Sequence, residues 1–377
     1  QSGGGSAGSE REVRSADGKV LGRAILDDGW IGARVFRHDA GPLDASWLHT
    51  TLDAAAALRE RVIPPETTGY RLVHGENDCL PGIRIDWWHH FAVIILDSPS
   101  LARFLDGIVL WLEQTRRPRG ILLCYRQDPR DERDFSSVDP APGLIAGHKP
   151  TGPIRVQERG LSLDVYPLEA PDVGMYADMR EVRVLLEPHW GGMSVLNTFA
   201  YTCGAGLAAM KGGARSVLNV EHGNWCLDAG RALGELNEIT MGFLREDFFA
   251  AVRQFAGLKL KGRGARRREF TKRPEARFDL IVLDPPTFAK SPMGAVDLVR
   301  DYGSLAKPCF LALAEGGALL ASNHAAGVAR ADWIAATERC AAKAGRPVRA
   351  VEIIEPEADF PPPEGGEPLL KMAVFTL

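Results

Sequence analysis

Apolar positions along this 377-residue chain fall into two contrasting patterns. From about residue 151 to 377 they come as short apolar-rich segments, nearly continuous at residues 278–283 and 317–321 and centred on Val-Leu pairs at 194–199 and 216–220, separated by turns and helical stretches. Such runs predict strands covered on both faces, and their alternation with helices predicts an α/β, doubly wound sheet. Residues 330–344 read as a late helix, and 348–354 and 369–375 as closing strands. Nearer the start the pieces are shorter. Residues 18–24 and 31–36, broken by Gly and Asp turns, predict a small β-domain over 10–45. A helix is expected from Asp44 to residue 62, then a β-meander at residues 71–73, 83–86 and 91–96, a helix over 101–115 and a strand at 120–125. Together these predict a middle α/β domain over 46–150, joined to the rest by a linker at residues 140–153. Residues 1–9, rich in Gly and Ser, are expected to be a flexible tail.

The chemistry gathers at the strand ends. The run at residues 278–283 has five apolar residues out of six and must stop by Pro285, which lacks a backbone donor. Asp284, Pro285, Pro286, Thr287 and Phe288 therefore follow a strand's C-terminal end, the edge where open α/β sheets bind ligands. Asp284 supplies a rigid acceptor, and Phe288 a face for a planar group, worth ~1–3 kcal/mol per stacked nucleobase. An ordinary proline turn explains the same residues equally well, so the other strand ends decide. After residues 194–199 comes a turn with Gly204 and Gly206, where the missing Cβ lets backbone approach a ligand. The next strand ends on Glu221, suited to both hydroxyls of a ribose. A third ends at Glu246-Asp247-Phe248, where Asp247 can take an adenine amino proton and Phe248 can cover the ring. Gly204-x-Gly206-x-x-Ala209 also fits the dinucleotide fingerprint. A hydride-transfer site has no need of Asp-Pro-Pro-Thr-Phe, whereas methyl transfer to a planar nitrogenous group does. The ordered set therefore favours S-adenosylmethionine (SAM) over a nicotinamide cofactor.

These motifs resemble those of the class I SAM-dependent 23S ribosomal RNA methyltransferases of bacteria. The family's Asn-x-Phe-x-Tyr-Thr-Gly-x-Phe, acid, Asp-Val-Phe and Asp-Pro-Pro-x-Phe are similar to Asn197-Thr198-Phe199-Ala200-Tyr201-Thr202-Cys203-Gly204, Glu221, Asp247-Phe248-Phe249 and Asp284-Pro285-Pro286-Thr287-Phe288. Residues 70–82 resemble a hallmark of the family's middle domain, and Gly174-Met175-Tyr176-Ala177-Asp178-Met179-Arg180 the segment leading into its catalytic domain. The resemblance implies that Arg180 and Asp178 hold the carboxylate and amino group of the cofactor's methionine end. It implies further cofactor contacts at Asn197, Phe199, Tyr201, Gly204, Gly206, Glu221, Asp247, Phe248 and Asp284, and a base pocket made by Asp284, Pro285, Pro286 and Phe288. It also implies an N-terminal PUA-type barrel, of which residues 10–45 would be a remnant without its first strands. Two departures stand out. Cys203 occupies a glycine position of the cofactor loop. Ser322-Asn323-His324 stands where cytosine-C5 relatives carry Ser-Cys-Ser and guanine-N7 relatives Ser-Asn-Asn. Nitrogen methylation is therefore expected, guanine N7 favoured, with Asn323 meeting the base. Cytosine C5, a small-molecule or protein acceptor, a non-catalytic RNA-binding relative and a nicotinamide oxidoreductase are the alternatives.

Charge sharpens the expected partner. The net charge of −4 excludes a general polyanion binder, yet residues 253–273 hold nine Lys or Arg against one acid. Such a run is most often a solvated loop. Beside a base pocket, Lys259, Lys261, Arg263, Arg266, Arg267 and Arg268 are expected to meet phosphates of ribosomal RNA or its precursor. The six cysteines form no Cys-x-x-Cys pair, which speaks against a zinc site or disulfide framework and for a reducing compartment such as the cytoplasm. No metal is expected, and no apolar run approaches the ~20 residues of a membrane span.

Overall fold

The computed structural model describes residues 5–126, 133–136, 138–167, 174–267, 270–363 and 365–377. Its first strands, β1 (Glu10–Arg14), β2 (Val20–Leu26) and β3 (Ala33–Arg37), form an antiparallel sheet in that order. Helix α1 (Ala45–Val62) starts where an Asp cap was expected, the Asp44 carboxylate accepting from the Trp47 amide at 2.9 Å. Strands β4 (Gly69–His74), β5 (Ile83–Trp88) and β6 (Phe91–Leu96) make the predicted meander. After helix α2 (Leu105–Thr115), β7 (Gly120–Tyr125) joins β6 in parallel. Ile25 and Phe36 share one core with Leu48 and Leu52 of α1 and Ile85 and Ile94 of the sheet.

Two expectations are corrected. The linker contains β8 (Gly143–Gly147), an edge strand on β7, because its Leu and Ile continue the sheet even though prolines flank it. In the segment expected to be a tail, Gly8 and Ser9 are tied to Leu26 by backbone hydrogen bonds of 2.8 and 3.0 Å, while residues 1–4 lie outside the described residues. Strands β9 (Ile154–Glu158) and β10 (Leu161–Val165) pair with each other. Contacts divide the chain into two compact units. One holds Gln1–Gly160, Asp164–Val173 and Ala358–Glu364, the other Leu161–Leu163, Gly174–Glu357 and Gly365–Leu377.

The second unit is the doubly wound sheet. Helix α3 (Arg180–His189) precedes β11 (Ser194–Thr198), α4 (Gly204–Lys211), β12 (Ser216–Glu221), α5 (Asn224–Leu236), β13 (Gly242–Arg245), α6 (Phe248–Phe255), the short α7 (Gly262–Arg267) and β14 (Phe278–Leu283). A hairpin of β15 (Phe288–Lys290) and β16 (Ala295–Asp297) follows, then α8 (Gly303–Ala312), β17 (Leu313–Asn323), α9 (Arg330–Lys343), β18 (Ala350–Ile354) and β19 (Lys371–Thr376). The seven strands lie in the order β13-β12-β11-β14-β17-β19-β18. Those from β13 to β17 are parallel, and β19 is antiparallel to both its neighbours.

The continuous apolar runs are explained by cover on both faces. Leu196, Ile281, Leu283, Leu319 and Ala321 pack into one core, while Val195, Leu280, Val282, Ala318 and Leu320, their alternating neighbours, pack into another. The lone acid in β14, Asp279, receives both the amide and the hydroxyl of Ser194 at 2.8 Å and so pins the start of β11. Order reverses between β11 and β14, which places the crevice over their C-terminal ends.

Candidate active site

The turn after β11 is built by residues in left-handed backbone: Phe199, Tyr201 and Cys203 have φ of 51°, 48° and 65°. Of the two glycines expected to admit a ligand, Gly206 is taken up by packing. Neither adopts positive φ, and a Cβ on Gly206 would stand 2.3 Å from Asn219 Oδ1, so Gly206 lets α4 lie close on β12. Gly204 opens α4 beside Arg183. Cys203, in a backbone region that suits glycine, is buried; its Sγ lies 2.6 Å from where a Cβ on Gly230 would stand, so a glycine on α5 makes room for it.

Carboxylates line the crevice at the ends of successive strands. Glu221 is half-buried. Its Oε2 accepts from the Tyr201 amide at 3.0 Å, and its Oε1 from the amides of His222 and Gly223 at 2.7 and 3.0 Å. Three amides thus hold the carboxylate in place and leave about one acceptor site, on Oε2, for a ribose hydroxyl. Asp247 caps α6 through Oδ1, which takes the amides of Phe249 at 2.8 Å and Ala250 at 3.2 Å, leaving Oδ2 as the oxygen outside the cap. Phe248 is buried and stacked on Phe199, centroids 4.6 Å apart and planes 22° apart. It backs Phe199 and offers no open face of its own, contrary to the ring cover expected of it.

At the end of β14, Asp284 is half-buried and accepts a hydrogen bond from the Ser322 hydroxyl. Burial pushes its carboxyl above the usual carboxylate range, and the bond from Ser322 opposes that shift. Tyr302, whose own hydroxyl pKa is raised by burial, donates to the Ser322 carbonyl at 2.9 Å and braces the same strand end. Pro285 is buried and Pro286 exposed. Phe288 is 58% exposed, with Lys290 Nζ 5.3 Å from its ring centre.

Two expected contacts are corrected. Asn323 is fully buried; its amide donates to the Leu298 carbonyl at 3.2 Å and its Oδ1 accepts from the Ala325 amide at 2.9 Å, so it anchors the strand end and faces away from the pocket. Alternation along β17 puts Ser322 beside Asp284 instead, which the register Leu283 opposite Ala321 could have indicated. Asn197 is buried in a 2.9 Å bond to its register partner Asn219 and serves the sheet. Arg180 is buried in an ion pair with Glu357 through Nη2 at 3.2 Å. The cation at the cofactor turn is Arg183, one helical turn on, which bonds the Tyr176 carbonyl at 3.0 Å and lies against Gly204. Asp178 is half-buried in the turn before α3. Tyr201 joins this segment to the loop, its hydroxyl accepting from the Gly174 amide at 3.0 Å, while Thr202 donates to the Gly174 carbonyl at 2.6 Å.

Of the basic run, Lys259, Lys261, Arg263, Arg266 and Arg267 are exposed, and Arg268 lies outside the described residues. The run is partly ordered as α7. Among the described residues no His, Cys, Asp and Glu cluster could hold a metal ion, and no helix is long and apolar enough to cross a membrane.

Carboxylates at the ends of β12, β13 and β14 around a glycine-bearing turn suit a nucleoside with a cationic centre. Their field favours a positive sulfonium over the neutral thioether left after transfer. Solved structures carry the same fold. A protein described as a methyltransferase, crystallised with SAH, superposes at a TM-score of 0.81 over 98% of this chain and 92% of its own, at 21% identity. A protein described as a SAM-dependent methyltransferase from Streptococcus mutans superposes at 0.80 with the same coverage and identity. This chain belongs to the S-adenosylmethionine-dependent methyltransferase family, whose model matches residues 137–373. It is 30% identical to Ribosomal RNA large subunit methyltransferase I of Aeromonas salmonicida over 356 residues, 93% of this chain and 85% of that protein. It is 31% identical to the protein of that name from Shewanella frigidimarina over 363 residues, 94% and 86% of the two chains. The enzyme is therefore a SAM-dependent methyltransferase, and SAM is its cofactor.

Proposed function

We propose that this enzyme methylates a base of large-subunit ribosomal RNA, at a ring nitrogen, with guanine N7 favoured. The observation that carries the reading is the exposed ring of Phe288, which opens β15 four residues after Asp284, the half-buried carboxylate at the end of β14. A base turned out of its stack can lie on Phe288 while its N–H groups donate to Asp284. The names of the curated relatives supply the polymer, large-subunit ribosomal RNA.

SAM supplies a methyl group on a positively charged sulfur. The protein's part is alignment, and well-oriented reactants gain ~7–11 kcal/mol from positioning alone. Glu221 and Asp247 hold the nucleoside end, Arg183 stands as the cation near the methionine end, and the Pro285-Pro286 wall fixes the acceptor. At guanine N7 the nitrogen lone pair forms the new C–N bond as the methyl–sulfur bond breaks. Sulfur keeps that electron pair, the positive charge passes to the ring, and no proton has to leave.

Cytosine C5 is a harder acceptor, since a thiolate must first add to the ring. The cysteines fit that role poorly. Cys309 is fully buried in α8 and Cys203 is buried beneath the cofactor loop, and burial pushes both thiols far up. Position 323, where cytosine-C5 relatives carry their cysteine, faces away from Asp284. Deproteinised large-subunit ribosomal RNA should accept tritiated methyl from SAM, and RNA containing 5-fluorocytosine should form no covalent adduct. An adduct that disappears in Cys309→Ala or Cys203→Ala would return the reading to cytosine C5.

A further inference from the structure

The basic run is held in place. Helix α7 spans six residues, Gly262–Arg267, too few to be stable by itself. A Cβ on Gly262 would stand 2.5 Å from the Pro292 carbonyl oxygen, and one on Gly264 would stand 2.4 Å from Met293 Sδ. The Gly264 amide donates to the Pro292 carbonyl at 2.9 Å, Gly264 is buried, and Ala265 packs on the core cluster that contains Met293. Pro292 and Met293 lie in the turn between β15 and β16, the hairpin that begins with Phe288. The glycines therefore seat α7 on the same hairpin that carries the stacking face.

At about 100° per residue, Arg263, Arg266 and Arg267 share one arc of about 100°, and Gly262, Gly264 and Ala265 take the rest. All three arginines are exposed. Like charges at these spacings repel by ~0.2–0.5 kcal/mol per pair, a cost that docking of the helix overrides. Among the described residues no carboxylate pairs with Lys259, Lys261, Arg263 or Arg266. The turn at Pro292 is four residues beyond Phe288, about 13 Å along an extended strand, or about four steps of a stacked nucleic-acid strand.

We infer that α7 is a fixed arginine face that grips the phosphodiester backbone of the RNA strand whose base enters the pocket. Its orientation is set by Gly262 and Gly264 docking on the β15–β16 turn. The inference rests on the ribosomal RNA reading above and adds where the strand is held and by what.

The test uses the full chain, deproteinised large-subunit ribosomal RNA as the probe, and salt titrations of affinity, with SAH binding as the control. Changing Arg263, Arg266 and Arg267 to Gln should flatten the slope of log affinity against log salt by about 2 and weaken binding at 0.15 M salt roughly 10- to 50-fold, with SAH affinity unchanged. Gly264→Leu keeps every charge but unseats the helix, and should give a comparable loss of affinity. An unchanged slope in the triple variant, with wild-type protein still methylating the RNA, overturns the arginine face and leaves the proposed function standing. Full affinity in a folded Gly264→Leu variant overturns the fixed orientation. Failure of the wild type to bind or methylate RNA at all overturns the inference together with the reading beneath it.

Discussion

Asp284→Asn should make this enzyme more stable and less active at once. The carboxylate is half-buried, burial raises its pKa, and the Ser322 hydroxyl opposes that rise without cancelling it. A carboxyl whose folded-state pKa lies above its unfolded value favours folding only while protonated. Its contribution is intact below the unfolded value of ~3.9 and is lost as pH rises through the raised folded value. Once pH passes that raised value, the ionised wild-type group subtracts stability. The substituted carboxamide has no charge to bury and keeps an oxygen that can accept from Ser322. Above the raised folded value the expected gain is ~0.5–2 kcal/mol, a rise of a few degrees in Tm, shrinking towards zero near pH 4. The same change replaces a charged acceptor for base N–H groups with a neutral one. At ~1.5–3 kcal/mol for a charge-assisted bond, kcat/KM on ribosomal RNA should fall roughly 10- to 150-fold. Calorimetric melting from pH 4 to 8, with tritium transfer from SAM, measures both effects. A variant less stable than wild type at pH 7, or one as active as wild type, would refute the role given to Asp284.

Other residues give sharper separations. Phe288→Ala removes an exposed ring, so Tm should move by no more than the equivalent of ~0.5 kcal/mol while RNA methylation loses the ~1–3 kcal/mol of base stacking; a large fall in Tm would mean the ring supports the fold. Gly206→Ala inserts a Cβ 2.3 Å from Asn219 Oδ1, and should cost ~1–3 kcal/mol of stability by forcing α4 off β12, read by denaturant unfolding. Glu221→Ala should weaken SAH binding at least tenfold in calorimetry, and tight NAD binding by the wild type would contradict the cofactor assignment.

The sheet was legible because its strands are covered on both faces, so β14 and the centre of β17 read as runs of apolar residues and β11 carries adjacent Val195 and Leu196. The carboxylates at strand ends were legible for a related reason: a polar residue closing such a run must lie at its edge. What escaped was the facing of individual side chains and their distant partners. Asn323 and Ser322 are adjacent, and only register with β14 tells which one meets Asp284. Arg180 pairs with Glu357, a partner far away in sequence that spacing along the chain does not reveal. Asn197 likewise answers to Asn219. Gly206 was credited with opening the loop, yet its space is taken up by helix packing, which spacing along the chain does not distinguish. The arginine-rich run shows its charge in the sequence but not its helix, because the two glycines that dock α7 break the usual helical pattern.

The most direct test of ribosomal RNA methylation is nucleoside mass spectrometry of large-subunit ribosomal RNA from cells lacking the protein, before and after incubation with the purified enzyme and SAM. One nitrogen-methylated nucleoside, expected to be 7-methylguanosine, should be missing beforehand and restored by the enzyme. Ribosomal RNA with an unchanged set of methylated nucleosides, to which the enzyme adds nothing, would contradict the account.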